Sequence, residues 1–437
     1  MAAQSPSSGT PNRRDFLSTS TAAMVGGMLA GGLSLSRSAH GAGADDTIKV
    51  GLVGCGGRGT GAASQALHTQ GPVKLVAMAD SFADRLRQSL DGLRQDPDIK
   101  DKIDVPAERQ FVGFDAYKQL IASDVDVVLL CTPPHFRPAH LKAAVEANKH
   151  IFCEKPVAVD APGVRSVLQT VEEARKKNLS LVSGLCWRYD PGVRETVKRI
   201  QDGEIGEVVA MQLNYNTNGL WHHGRKDGWS DMEWQLRNWL YFTWLSGDHN
   251  VEQHIHTLDK AAWILGDSTP LAAVGLGGRQ VRVDEKWGQI FDHHAVAYEF
   301  DKGVRAFSYC RQQDNCANDN SALVMGTIGQ ADVLKGEFTK NGQVTWKYTP
   351  AKPKPNMYQV EHDELFASIR SSTPINNGIY MSQSTLMAIQ GRMATYTGQR
   401  ITWDQAMQSQ EDLTPASYEW GPLPVAAVAK PGITEFA

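Results

Sequence analysis

Residues 48–59 read Ile-Lys-Val-Gly-Leu-Val-Gly-Cys-Gly-Gly-Arg-Gly, and their reading decides the fold. The apolar run Ile48 to Val53 has the composition of a buried strand. It ends in Gly54-Cys55-Gly56-Gly57-Arg58-Gly59 and continues into Thr60 to Thr69, an Ala/Ser/Gln-rich stretch that suits a helix. Strand, glycine turn and helix in this order make a phosphate-binding corner. Gly54 permits the tight turn, Gly56 lets the backbone approach a pyrophosphate, and Gly59 allows close helix packing. The phosphates then sit at the helix N-terminus, where free N–H groups favour negative charge. A second strand, Val73 to Ala79, ends in Asp80 about twenty residues further on, where an acid accepts hydrogen bonds from a ribose 2′-hydroxyl and repels a 2′-phosphate. NAD is therefore favoured over NADP, although Ser81 and Arg85 weaken that preference.

Outward from this corner the strand–helix alternation continues. Val125 to Cys131 is a continuous apolar run of the buried parallel type, followed by Thr132-Pro133-Pro134-His135 at its carboxyl end, where ligands of doubly wound sheets bind. Thr132, Pro133 and His135 are candidate cofactor contacts. Strand His150 to Cys153 leads into the turn Glu154-Lys155-Pro156, and strand Ser180 to Cys186 closes the domain. From Arg188-Tyr189-Asp190-Pro191 the character changes to alternating segments: Glu207 to Tyr215, Ala272 to Val283, His294 to Phe300, Arg305 to Cys310 and Ala322 to Gly326. The expectation is an α/β chain: an N-terminal Rossmann doubly wound parallel sheet over 45–186, then a C-terminal α+β domain over 187–414 built on a large open mixed or antiparallel sheet. Helices Gln359 to Arg370 and Ser382 to Thr397 are expected on or near that second sheet, and 415–437 as an extended tail.

With 437 residues, 41% hydrophobic and 21% charged, the chain is long enough for two cores. A net charge of −4 argues against nucleic acid or an anionic membrane as main partner. Residues 1–44 read as a signal segment: Asn12-Arg13-Arg14-Asp15-Phe16-Leu17 looks like the twin-arginine export motif, followed by the weakly apolar Ser18 to Leu35 and a small-residue cleavage site at Ala42-Gly43-Ala44. Its removal takes Arg13, Arg14, Arg37 and Asp15 with it and leaves a charge of −6. A periplasmic protein exported folded, with no membrane span in its mature form, is the expectation. Six cysteines would permit disulfides there, but none is assigned.

Leu245 to Gly266 places His249, Glu252, His256 and Asp259 three or four residues apart, which on one helix would be one face. His249, Glu252 and His256 also suit a metal. Upstream, Asn216 to Trp244 holds five of the eleven tryptophans, whose indoles suit the C–H faces of sugars, with half of them expected in a core or subunit contact.

Taken together, Gly54 to Gly59, Glu154-Lys155-Pro156, Arg188-Tyr189-Asp190-Pro191 and Glu252-Gln253-His254-Ile255-His256-Thr257-Leu258-Asp259 resemble the Gfo/Idh/MocA oxidoreductases over nearly all of the chain beyond residue 44. In that family the last motif reads Asp-x-Gly-x-His-x-x-Asp; here Glu252 stands for the Asp and His254 for the Gly. The resemblance implies hydride transfer between a secondary hydroxyl and a tightly held nicotinamide, with Lys155 contacting cofactor and substrate oxygen, His256 as general acid/base, and Glu252 binding a neighbouring hydroxyl or the lysine. Gly54, Gly56, Gly57, Arg58, Gly59, Asp80, Glu154 and Lys155 are the cofactor candidates beside those named above. Arg188, Tyr189, Trp221, His222, His249, Gln253 and His256 are the substrate candidates. Since this assignment uses two members of the metal-like trio, no metal is assigned. The substrate class is a sugar, glycoside or cyclitol, the partners are the twin-arginine export machinery and further copies of the chain in a homo-oligomer. Two other functions fit the same residues: an NAD-dependent enzyme cleaving glycosides by oxidation, elimination and re-reduction, and an exported sugar-binding protein without turnover.

Overall fold

The computed structural model describes residues 46–437, so the export segment read at 1–44 lies outside the described residues. Six parallel strands form the first sheet: β1 (Ile48–Val53), β2 (Val73–Asp80), β3 (Gln110–Val112), β4 (Val127–Leu130), β5 (His150–Cys153) and β6 (Leu181–Ser183), in the order β3-β2-β1-β4-β5-β6. The order reverses beside β1, which places a crevice at the carboxyl ends of β1 and β4. β4 and β5 are buried along their whole length, as their apolar runs require.

The second sheet has nine strands: β7 (Val208–Thr217), β8 (Ala272–Gly278), β9 (His293–Glu299), β10 (Arg305–Gln312), β11 (Asp319–Gly326), β12 (Gln330–Asp332), β13 (Glu337–Lys340), β14 (Gln343–Lys347) and β15 (Ile401–Thr402), ordered β14-β13-β12-β11-β7-β10-β9-β8-β15. β10 and β7 are parallel; the other pairs are antiparallel. β9 alternates half-buried and buried residues, so one face packs inward while Leu276, Phe307 and Tyr309 lie exposed on the sheet.

One of the two helices expected on or near the second sheet departs from that layout, and the other keeps it. Met357–Arg370 packs against the first domain, not the second sheet: Leu365, Phe366 and Ile369 join the core that contains Val50, Leu52 and Phe152. Gly378–Thr397 is buried along most of its length and touches the first domain's helix Ala161–Lys176 as well as β8 and β9.

The larger correction concerns 245–266, which is not one helix. It is three pieces, Thr243–Ser246, His249–Glu252 and Ile255–Ile264. Gly247 ends the first in the left-handed region, and Asp248 follows with φ of 77°. A non-glycine residue there costs about 1–3 kcal/mol unless its surroundings hold it. They do, because the Asp248 carboxylate accepts from the N–H groups of His249 and Phe291 and from the Tyr396 hydroxyl. The second break is a wide turn in which the His254 N–H reaches back to the carbonyl of His249. The four polar residues therefore share no continuous face.

Candidate active site

A cavity of about 480 Å³ opens at the carboxyl ends of the first-domain strands. Gly54, Gly56, Gly57, Arg58, Gly59, Asp80, Thr132 and Pro133 line it, as the glycine corner required. The glycines divide the work. Gly54 has φ of +96°, and a side chain on Gly59 would land 1.8 Å from the Gly54 carbonyl, so both are fixed by the fold itself. Gly56 and Gly57 face open space that a side chain would enter. Helix Gly57–Leu67 has no side-chain cap, which leaves its first N–H groups to a phosphate. Asp80 accepts from the Cys55 and Phe82 N–H groups (2.7 and 2.9 Å), so it holds the glycine turn and still presents acceptor positions to the cavity. These residues fit a dinucleotide.

The opposite wall comes from the tryptophan-rich segment. Trp221, His223, Leu236, Arg237 and Trp239 line the same cavity, so Trp221 stands on the wall that faces the glycine corner. Arg237 forks onto Asp84 and lies over the Phe82 ring at 4.1 Å. Trp234 and Trp244 fill a small third core with Tyr241 and Phe242, against which Phe82, Phe114 and Phe136 of the first domain also pack. The stretch read as a tail, 415–437, is docked. Trp420 packs at a tilt against Phe82 and Phe114, Tyr418 meets Phe114, and the Leu423 N–H and carbonyl bond Asp231 and Gln235.

The reacting end is built from long-range pairs. Lys155, on the turn after β5, donates to the Glu252 carboxylate at 2.8 Å and to its carbonyl at 2.5 Å. The longer Glu252 side chain thus serves the lysine. His256 lies within electrostatic reach of Lys155; burial, then the charges of Lys155 and Lys260, hold its pKa well below the usual imidazole value. Its ring is neutral at neutral pH, with Nδ1 buried and unpartnered. Lys260 lies over the Trp187 ring at 4.5 Å and donates to the His256 carbonyl, its own pKa brought down to about 8 by burial. Glu154 forms an ion pair with Arg58, Nε to Oε1 2.9 Å, so the EKP turn is tied to the glycine loop. Gln253 accepts from Gln312, which in turn accepts from Arg282.

Several candidates are structural. Arg188 forks onto Asp259, reaches Asp267 and lies 3.7 Å over the Tyr380 ring, which leaves it no reach toward a substrate. Tyr189 donates to Asn377. His135 bonds the Tyr418 hydroxyl and packs edge-on against Trp244, and burial lowers its pKa to about 4. His222 bonds the Lys286 carbonyl. His249 is buried against Asp248 and His294, so His249, Glu252 and His256 do not converge as a metal trio. Tyr215 on β7 was not foreseen: burial raises its pKa, with Lys155 and Glu252 acting on it in opposite senses. Only pairing β7 beside the site identifies it, and no local motif marks it.

A family model described as an oxidoreductase family with an NAD-binding Rossmann fold matches residues 48–182. The chain is 28% identical over 251 residues to an inositol 2-dehydrogenase of Rhizobium meliloti, covering 57% of this chain and 64% of that protein. It is 28% identical over 339 residues to an inositol 2-dehydrogenase of Salmonella typhimurium, covering 75% and 88% respectively. The match thus spans less than two thirds of the first relative's length. Among solved structures, levoglucosan dehydrogenase in complex with NADH and levoglucosan superposes with a TM-score of 0.64 at 17% identity, covering 82% of this chain and 99% of that one, a likeness of fold. With the glycine corner and the EKP turn in place, residues 48–182 match the NAD-binding Rossmann domain of the Gfo/Idh/MocA oxidoreductases.

Proposed function

We propose that the chain oxidises a secondary hydroxyl of a sugar, glycoside or cyclitol, with NAD as the hydride acceptor. The observation that carries this is the Lys155–Glu252 pair set beside a neutral His256. The names borne by the relatives, inositol 2-dehydrogenase and levoglucosan dehydrogenase, support the substrate class. A bound nicotinamide supplies the carbon that takes the hydride. The chain's own residues do the rest. An ammonium has three N–H donors, and Glu252 takes two of those of Lys155, which leaves one for the oxygen that gains negative charge. The neutral imidazole of His256 accepts the hydroxyl proton as the C–O bond becomes a carbonyl. Glu252 keeps Lys155 aimed. Asp80 supports NAD over NADP, because an acceptor-only carboxylate repels a 2′-phosphate. Export and assembly into homo-oligomers belong to the same reading, supported by Arg13-Arg14 and by the exposed apolar residues of the second sheet.

The test is NADH formation by the purified protein over a panel of cyclic polyols and glycosides. We expect turnover with at least one, and a Lys155→Met variant that binds NAD but loses about 10²–10⁴-fold in kcat. A variant as active as the parent would sink the assignment. Release of aglycone with no net NADH would point instead to cleavage by oxidation and elimination.

A further inference from the structure

Three side chains that hydride transfer does not use converge where the His249–Glu252 helix begins: Asp248, His249 and His294 of β9, all buried. The carboxylate of Asp248 has defined donors. Its Oδ2 accepts from the Phe291 N–H at 2.9 Å and the Tyr396 hydroxyl at 2.6 Å, and Oδ1 accepts from the His249 N–H at 2.5 Å. Two ring nitrogens then crowd Oδ1, His249 Nδ1 at 2.9 Å and His294 Nε2 at 3.2 Å. Neither makes a hydrogen bond to it, and His249 Nε2 has no partner either. The proton on His294 can be placed. The Thr395 hydroxyl gives its hydrogen to the Arg392 carbonyl at 2.9 Å, so toward His294 Nδ1, also at 2.9 Å, it accepts, and Nδ1 carries the N–H. In the neutral ring, Nε2 is then a bare lone pair facing a carboxylate oxygen, both of them buried. That arrangement is unfavourable without positive charge between the two atoms.

We propose that Asp248 Oδ1, His249 Nδ1 and His294 Nε2 are ligands of a buried divalent d-block cation of the zinc class. The three side chains bring their ligand atoms within 4.8 Å of one another. In a tetrahedral site with bonds near 2.0–2.1 Å, neighbouring ligands stand about 3.3 Å apart, close to the two separations above. Two neutral imidazoles and one carboxylate suit zinc and its neighbours, whereas magnesium and calcium want oxygen alone. Thr395 on His294 and Tyr396 on Asp248 are the outer partners that fix ligand orientation. Such an ion ties β9 to the turn three residues before Glu252. It is a positioning device for the reacting end and does not touch substrate.

The experiment is elemental analysis and X-ray absorption of the full chain purified without metal-chelating resin. About one ion per chain is expected, with a first shell of nitrogen and oxygen containing two imidazoles. Cobalt(II) exchanged into the protein is expected to give visible tetrahedral bands that a His294→Gln variant loses and a His68→Ala variant keeps. His68, with Asp96 and Asp98, forms the other group of ligand-type side chains among the described residues, and it is exposed. A wild-type chain without stoichiometric metal and without bands on cobalt addition overturns the proposal. So does a sulfur-containing or all-oxygen shell, or an ion lost in His68→Ala and kept in His294→Gln. Metal content is read independently of turnover, so its failure leaves the dehydrogenase reading untouched.

Discussion

The two ends of the cleft are held by different kinds of order. At the phosphate end the work is done by backbone: Gly54, Gly56 and Gly59 lie within six residues, and the helix that follows presents its own N–H groups. At the reacting end it is done by side chains far apart in sequence. Lys155 meets Glu252 across 97 residues, and Arg188 fixes Asp259 across 71. A backbone site is robust to its surroundings and tolerant of side-chain change elsewhere. A side-chain site depends on both domains keeping register, which is why the buried Arg188–Asp259 fork sits behind it. Losing one partner of such a pair costs about 3–5 kcal/mol, since the other charge stays buried.

The sharpest way to break this contrast is at the glycines. Gly56→Val is expected to fold with an unchanged melting temperature, because nothing in the protein lies within 4 Å of the added Cβ. It should nevertheless weaken NAD binding by tenfold or more, about 1.4 kcal/mol, measured by calorimetry. Equal losses of stability and binding would mean that Gly56 serves the fold, as Gly59 does. Smaller, and confined to the wall shared by both domains, is the effect of Trp420→Ala. Removing its ring contacts with Phe82 and Phe114, about 0.5–1.5 kcal/mol per aromatic pair, should raise the NAD dissociation rate several-fold in stopped-flow displacement and leave kcat alone. No change in that rate would reduce the docked segment to packing.

The smallest expected effect sharpens the reacting end. His256 is depressed by burial and then by Lys155 and Lys260, so the acid limb of kcat/KM for oxidation should fall below pH 6.5. Lys260→Met removes one positive neighbour. The imidazole pKa then rises, and the limb should move to higher pH by a fraction of a unit while the maximum rate holds. A shift to lower pH would contradict the assignment of His256 as the base.

Legibility in the sequence follows the same division. The glycine corner, Asp80 and the buried strands were readable because each is local: a spacing, an apolar run, a turn residue. β12, β13 and β14 were missed because they are only three to five residues long, with little alternation to read. The helical face expected across 245–266 failed at Gly247 and Asp248, where a left-handed turn is sustained by Phe291 and Tyr396, partners that no spacing rule reveals. Arg188 and Tyr189 were recognisable as a motif, yet their role as a domain clamp depends on Asp259, Tyr380 and Asn377. The tryptophans suggested a sugar platform by composition, and only the tertiary structure turned Trp221 and Trp239 toward the cofactor cavity.

Tyr418 and Trp420 have a consequence for biosynthesis. They leave the ribosome long after β6 completes the nucleotide-binding sheet, by about 10–50 s at ~5–20 residues per second. Through that interval the cleft has its floor but lacks the aromatic bracket that Trp420 forms on Phe82 and Phe114. A nascent chain therefore offers NAD an open berth, and the finished chain offers a narrower one. Translation thus makes the Trp420 wall one of the last parts of the cleft to be synthesised.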